Sequence, residues 1–152
     1  MYMRYSVQLG YECEGLIKQA INIHMGLSPR DSSIVLMEDD LKRLYGSCKS
    51  RDGRNIIGSD LLVNVPSGLI AIQCKQVSSP SAKRSVEDFI DYVEYLERGF
   101  KRPIKKIWAT SLKPCRTGID LGNISGIVWI EHADTDILVT NTASYVCTVV
   151  CR

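Results

Sequence analysis

The stretch Gly58-Ser59-Asp60-Leu61-Leu62-Val63-Asn64-Val65-Pro66-Ser67-Gly68-Leu69-Ile70-Ala71-Ile72-Gln73-Cys74-Lys75 decides how this chain folds. Two apolar runs flank Pro66-Ser67-Gly68, which reads as the turn of a β-hairpin. Side chains alternate along a strand, so Leu61, Val63, Ile70, Ile72 and Cys74 share an apolar face, while Asp60, Gln73 and Lys75 fall on the opposite one. A turn centred on Pro66-Ser67 gives cross-strand partners whose numbers sum to 133, which sets Asp60 opposite Gln73. Their Cβ atoms are then roughly 5 Å apart, with Lys75 a diagonal neighbour. A bulge at Gly68 shifts that register by one residue.

An acid, an amide and an ammonium so placed suit one kind of chemistry. Phosphodiester hydrolysis needs a divalent cation to polarise the phosphate and hold a water, and a group to orient or deprotonate that water. Mg²⁺ takes hard oxygen ligands and keeps several waters, so few protein donors suffice. Asp60 offers a carboxylate, Gln73 its amide oxygen and Cys74 its backbone carbonyl, while Lys75 orients the water and offsets charge building on the phosphate. The same residues on one strand face are also what a solvated sheet surface displays.

Working outward, apolar positions from Tyr11 to Met25 recur at helical spacing, and Gly26 with Ser28-Pro29 ends the run. Ser33 to Met37 reads as a short buried strand, and Glu38 to Arg54 as a polar loop with one helical turn near Asp40 to Tyr45. Ile56 to Val65 and Leu69 to Lys75 form the hairpin strands. Ser85-Val86-Glu87-Asp88 reads as a capping box opening a helix, with Val86, Phe89, Ile90, Val93 and Leu96 inward and Gly99 and Pro103 stopping it. Ile104 to Ser111, Gly126 to Glu131 and Ile137 to Val150 read as further strands. This order predicts an α/β or α+β sheet with helices packed on it.

At 152 residues the chain matches one domain, and 45% hydrophobic with 24% charged residues is ordinary globular composition. A net charge of +2 leaves any attraction to phosphate to local basic clusters. No run is long enough to span a membrane, and the start carries no secretion signal, so an intracellular, cytoplasmic protein is expected. The six cysteines form no CxxC pair and lie far from both histidines, which argues against structural zinc. In a reducing compartment they are mostly small core residues, and Cys147 and Cys151 fall on one face of the last expected strand. His24 is expected in the core, His132 ends a strand, and Trp108 and Trp129 read as core residues.

Asp60, a gap of twelve residues, and then Gln73-Cys74-Lys75 resemble the D-x(n)-(E/Q)-x-K core of the PD-(D/E)XK nuclease superfamily. The strand Leu69-Ile-Ala-Ile-Gln-Cys-Lys-Gln is most similar to Mrr-type restriction endonucleases, and archaeal Holliday-junction resolvases share the order of elements. The upstream run Gly10-Tyr11-Glu12-Cys13-Glu14-Gly15-Leu16-Ile17 resembles the first helix of that group, whose acidic residue reaches the metal. Glu12 and Glu14 flank the apolar stripe, and Glu14 matches that acidic position best. The resemblance covers roughly Gly10 to Leu96, and departs from the usual pattern at Gln73, where glutamate is commoner.

The resemblance implies a restriction-endonuclease-like mixed β-sheet core flanked by helices, in a single domain over 1–152. It also implies a Mg²⁺- or Mn²⁺-dependent DNA endonuclease acting on ordinary, branched or structured DNA, with Asp60, Gln73, Lys75 and Glu14 at its site. Ser78, Ser79, Lys83 and Arg84, entering a helix start, with Arg51 and Arg54, are the expected phosphate contacts. Lys101, Arg102, Lys105 and Lys106 are further basic candidates. Cutting both strands with one site per chain points to a homodimer. The rivals are a non-catalytic nucleic-acid- or protein-binding relative and an RNA endonuclease.

Overall fold

In the computed structural model, which describes residues 2–150 and the side chains of 13–150, the predicted hairpin lies at the centre of a sheet. Strands β4 (Leu61–Val65) and β5 (Gly68–Lys75) pair antiparallel with Leu61 opposite Ile72, Val63 opposite Ile70 and Val65 opposite Gly68. The register is the expected one, without a bulge. A two-residue turn at Pro66-Ser67 closes it.

Around this pair the chain builds α1 (Tyr2–His24), β1 (Val35–Met37), α2 (Glu38–Tyr45), β2 (Cys48–Lys49), β3 (Asn55–Ile56), α3 (Lys83–Phe100), β6 (Ile104–Thr110), α4 (Arg116–Ile124), β7 (Val128–Glu131) and α5 (Thr135–Val150). The five-stranded sheet runs β1-β4-β5-β6-β7. Its β1-β4-β5 half is antiparallel and its β5-β6-β7 half parallel, an α+β mixed sheet with helices on both faces. The parallel half requires crossovers, and α3 and α4 supply them. A separate two-stranded ribbon joins β2 to β3.

The face formed by Leu61, Val63, Ile70, Ile72 and Cys74 is buried, as predicted, against Cys13, Ile17 and Ile21 of α1 and Leu138, Ala143 and Val146 of α5. The opposite face is not the solvated surface that strict alternation allows. Leu62, Leu69, Ala71 and Trp108 are buried there under Phe89, Tyr92 and Val93 of α3. A sheet whose parallel strands are covered on both faces is apolar on both. Polar side chains therefore collect at strand ends. Among the described residues, no helix is long and apolar enough to cross a membrane.

Several expectations are corrected. Ile137 to Val150 is helix, not strand, because its β-branched residues also place Leu138, Thr142, Val146 and Val150 four apart on one buried stripe. Asp134 caps it, its Oδ1 accepting the Ile137 N–H at 3.0 Å. Cys147 is thus helical, and Cys151 lies outside the described residues. The expected loop from Glu38 opens with helix α2, where Oδ2 of Asp40 accepts the Met37 N–H at 3.1 Å. Ile56 to Val65 is two strands with a break, and α4 was not anticipated. The buried Gly118 and Gly122 mask α4 with their poor helix propensity, yet a Cβ on Gly122 would meet the Trp129 ring at 2.3 Å. Helix α3 starts at Lys83, two residues before the expected capping box, and ends at Lys101 in the left-handed conformation (φ 55°). His24 is exposed, not core, whereas Trp108 is fully buried as expected.

Candidate functional site

The break between β3 and β4 shapes one end of the hairpin. Ser59 is buried and its hydroxyl donates to the Leu61 carbonyl at 2.7 Å and the Ile72 carbonyl at 3.3 Å. The Asp60 N–H donates to the same Ile72 carbonyl at 3.2 Å. The β4–β5 ladder ends at Leu61 opposite Ile72, so Asp60 stands one step past the last pair, level with Gln73 but outside the ladder. Freed from pairing, its carboxylate bonds along the strand edge. Oδ2 accepts the Cys74 N–H at 2.9 Å.

An N–H and C=O of one residue face the same neighbouring strand in an antiparallel pair. The Cys74 N–H faces the β4 side, so the Cys74 carbonyl faces that side too, beyond the end of β4. The Cys74 side chain is buried beside Cys13. On the other edge, the Lys75 carbonyl accepts from the Ser111 N–H at 2.9 Å and the Thr110 hydroxyl at 3.1 Å. The Ser111 hydroxyl then accepts the Val77 N–H at 2.9 Å and donates to the Val77 carbonyl at 2.9 Å. These contacts pin the backbone that carries Lys75.

Helix α1 brings a second acid. The Glu14 carboxyl hydrogen-bonds Asp60, and burial, followed by the Asp60 charge, raises its pKa to about 9. Asp60 is also raised, by burial first, with the Cys74 N–H and then Lys75 pulling it down. Both carboxyls are thus pushed up, with burial the first cause in each. Glu12 lies outside the described side chains. Oε1 of Gln73 is buried without a hydrogen-bond partner, although Gln73 does not bond Asp60.

A third acid was missed. The β1–β4 register pairs Met37 with Leu61, so Glu38, the next residue, is level with Asp60. Partial desolvation and then Asp60 raise the Glu38 carboxyl, while Lys42 and Lys75 lower it. The sequence signal was adjacent, in the acidic run Glu38-Asp39-Asp40, but the strand register that singles out Glu38 is a pairing property. Among the described residues, no group of three or more His, Cys, Asp or Glu side chains is gathered as a ready metal cage.

The expected phosphate contacts divide. Ser78 and Ser79 are exposed in the loop after Lys75, and Lys83 and Arg84 are exposed at the start of α3. Lys83 lies 3.9 Å from Glu87. Arg54 and Arg84 are instead drawn into one ion-pair network with Asp52 and Asp88, and Arg51 pairs separately with Asp91, both fastening the segment around the β2–β3 ribbon to α3. Arg51 Nε is 3.0 Å from Asp91, Arg54 is 2.9 Å from Asp52 and 3.0 Å from Asp88, and Arg84 also meets Asp52. Lys105 and Lys106 lie at the far end of the sheet. They pair alongside Ile70 and Ala71, whereas Thr110 pairs with Lys75. That separation is roughly 15 Å along the strand, so they are not part of this site. Lys105 lies over the Tyr145 ring.

No protein-family model matches this chain, and no curated protein matches it in sequence. Among solved structures it is similar to a repair endonuclease from Pyrococcus abyssi, with a TM-score of 0.41 and 13% identity. That similarity covers 58% of this chain and 36% of the endonuclease, so the chain spans about a third of that protein's length.

Proposed function

We propose that this chain is a metal-dependent DNA endonuclease of the PD-(D/E)XK type, with Asp60, Glu14, Gln73 and Lys75 at its site. The observation that carries the reading is the Asp60 carboxylate, anchored by the Cys74 N–H and hydrogen-bonded to Glu14 at the end of β5, with Lys75 in its field.

The donor set fits Mg²⁺ or Mn²⁺. It consists of hard oxygens: the carboxyls of Asp60 and Glu14, the Cys74 carbonyl, and the buried, unpartnered Oε1 of Gln73. Two hydrogen-bonded carboxyls, both pushed up by burial, with an orphaned amide oxygen level with Asp60 on β5, are groups that a divalent cation would satisfy. Such a cation polarises the scissile phosphate and lowers the pKa of bound water.

The protein's own groups then have separate tasks. Asp60 is held in place by the Cys74 N–H. Glu14 would hold the cation as a carboxylate, any proton it carries passing to solvent. Lys75, on a backbone fixed by Thr110 and Ser111, orients the attacking water and offsets charge on the phosphate. Ser78, Ser79 and Lys83 lie just beyond Lys75 and supply backbone contacts to the nucleic acid. Arg51, Arg54 and Arg84 contribute after exchanging carboxylate partners for phosphate. Cutting both strands calls for two such sites, hence a homodimer.

The test is nicking of supercoiled plasmid and cleavage of branched DNA with Mg²⁺, Mn²⁺ or EDTA. Cleavage is expected with either metal and lost with EDTA and in Asp60→Ala. Cleavage that survives both removes the mechanism. A second reading, a non-catalytic nucleic-acid- or protein-binding relative, is favoured by the amide of Gln73 where glutamate is commoner and by the modest net charge of +2. DNA retained without cleavage under any metal selects it.

A further inference from the structure

Gln73 leaves the proposed cation site one negative charge short of a site with glutamate at that position. The two strand registers show where another charge lies. Met37 pairs with Leu61 and Leu61 with Ile72, which makes Met37, Leu61 and Ile72 the last complete row across β1, β4 and β5. One step past this row, at the same end of the sheet, lie Glu38, which opens α2, Asp60, which precedes β4, and Gln73 of β5. Continued by one step, the two registers set Asp60 between the other two.

We infer that Glu38 supplies the negative charge that Gln73 lacks, acting on the cation held at Asp60 from the opposite side of the row. This role rests on the cation-binding reading of Asp60. Three observations carry it. The row places Glu38 level with Asp60. The Glu38 carboxyl senses both Asp60 and Lys75. Oε1 of Gln73, in the same row, is buried without a partner, as an oxygen awaiting a cation would be. Glu38 is exposed at the start of α2, so it is open to an arriving ion and its waters. Glu38 would act on such an ion through its charge, from the position that follows β1. An acid in the first turn of α2 also complements the helix dipole, and that ordinary role would leave metal affinity untouched.

The experiment is calorimetric titration of Mn²⁺ alone, without DNA, into the wild-type chain and into Glu38→Gln, Asp60→Asn and the double variant Glu38→Gln/Gln73→Glu. Wild type is expected to bind, Asp60→Asn to lose binding, and Glu38→Gln to bind about 10- to 100-fold more weakly. The double variant, with the charge returned to β5, is expected to recover most of that loss. Wild-type affinity in Glu38→Gln with none in Asp60→Asn overturns the role of Glu38 and leaves the cation reading standing. A wild-type chain that binds no Mn²⁺, or an Asp60→Asn chain that binds as wild type, overturns both. A folded double variant no better than Glu38→Gln shows that Glu38 does not stand in for the missing charge. If that variant does not fold, the Glu38→Gln affinity alone decides.

Discussion

The Asp60 carboxylate accepts the backbone N–H of Cys74 at 2.9 Å, a bond that crosses from the loop before β4 to the end of β5. It takes the place of the ladder bond that would have formed had β4 continued, and it fixes the acid where the sheet runs out. The same carboxylate meets Glu14 of α1. One residue thus closes the sheet end and gathers charge there.

Asp60→Asn keeps an acceptor for Cys74 and removes the charge that Glu14 opposes, whereas Asp60→Ala leaves the Cys74 N–H unpaired. Both are expected to abolish cleavage. Asp60→Ala is expected to be less stable than Asp60→Asn by about 1–3 kcal/mol, the cost of an unsatisfied buried donor. Urea denaturation of the two variants in EDTA checks this, and equal midpoints contradict it.

The pH dependence follows from Glu14. Its pKa is raised from 4.5 to about 9 in the folded chain, so the folded state binds that proton more tightly than the unfolded one. The resulting stability is fully present below the unfolded pKa and is lost as pH rises toward about 9. Metal-free protein is therefore expected to weaken steadily from mildly acid to alkaline pH. Glu14→Gln, which cannot ionise, should flatten that slope. Denaturation midpoints across the range in EDTA measure it, and parallel profiles for the two proteins would count against the assignment.

Gly58 packs where no side chain fits. A Cβ there would lie 2.4 Å from the Asp88 carbonyl and 2.9 Å from the Tyr92 Cβ. Gly58→Ala is expected to cost about 1–3 kcal/mol by overpacking. Because the displaced segment leads directly to Asp60, cleavage should fall with it. Thermal melting gives the first quantity and plasmid nicking the second.

Lys83 is exposed and weakly paired, whereas Arg54 is shared between Asp52 and Asp88. Lys83→Ala is expected to weaken DNA binding evenly across sequences and to lower the salt slope by about 1. Arg54→Ala should change stability by no more than about 1 kcal/mol, since its pairs are solvent-exposed. Binding isotherms at several salt concentrations test the first expectation, and chemical denaturation tests the second.

What was readable in the chain alone was the hairpin. Period-two alternation and a two-residue Pro66-Ser67 turn gave the register that brings Asp60 level with Gln73, and the pairing of Val65 with Gly68 removed the bulged alternative. The stripe of α3 from Val86 to Leu96 was equally plain, because helical periodicity is a local property. Local preference misled at Ile137 to Val150, where β-branched residues read as strand although packing on the sheet selects a helix. Tertiary structure alone decided the rest. Glu38 lies far from Asp60 in sequence and enters the row only through β1–β4 pairing, while Glu14 meets Asp60 only because α1 packs across Cys74. Alternation constrains neighbours two residues apart on one strand; it says nothing about which helix covers a face or which strand lies alongside, because those choices belong to long-range burial.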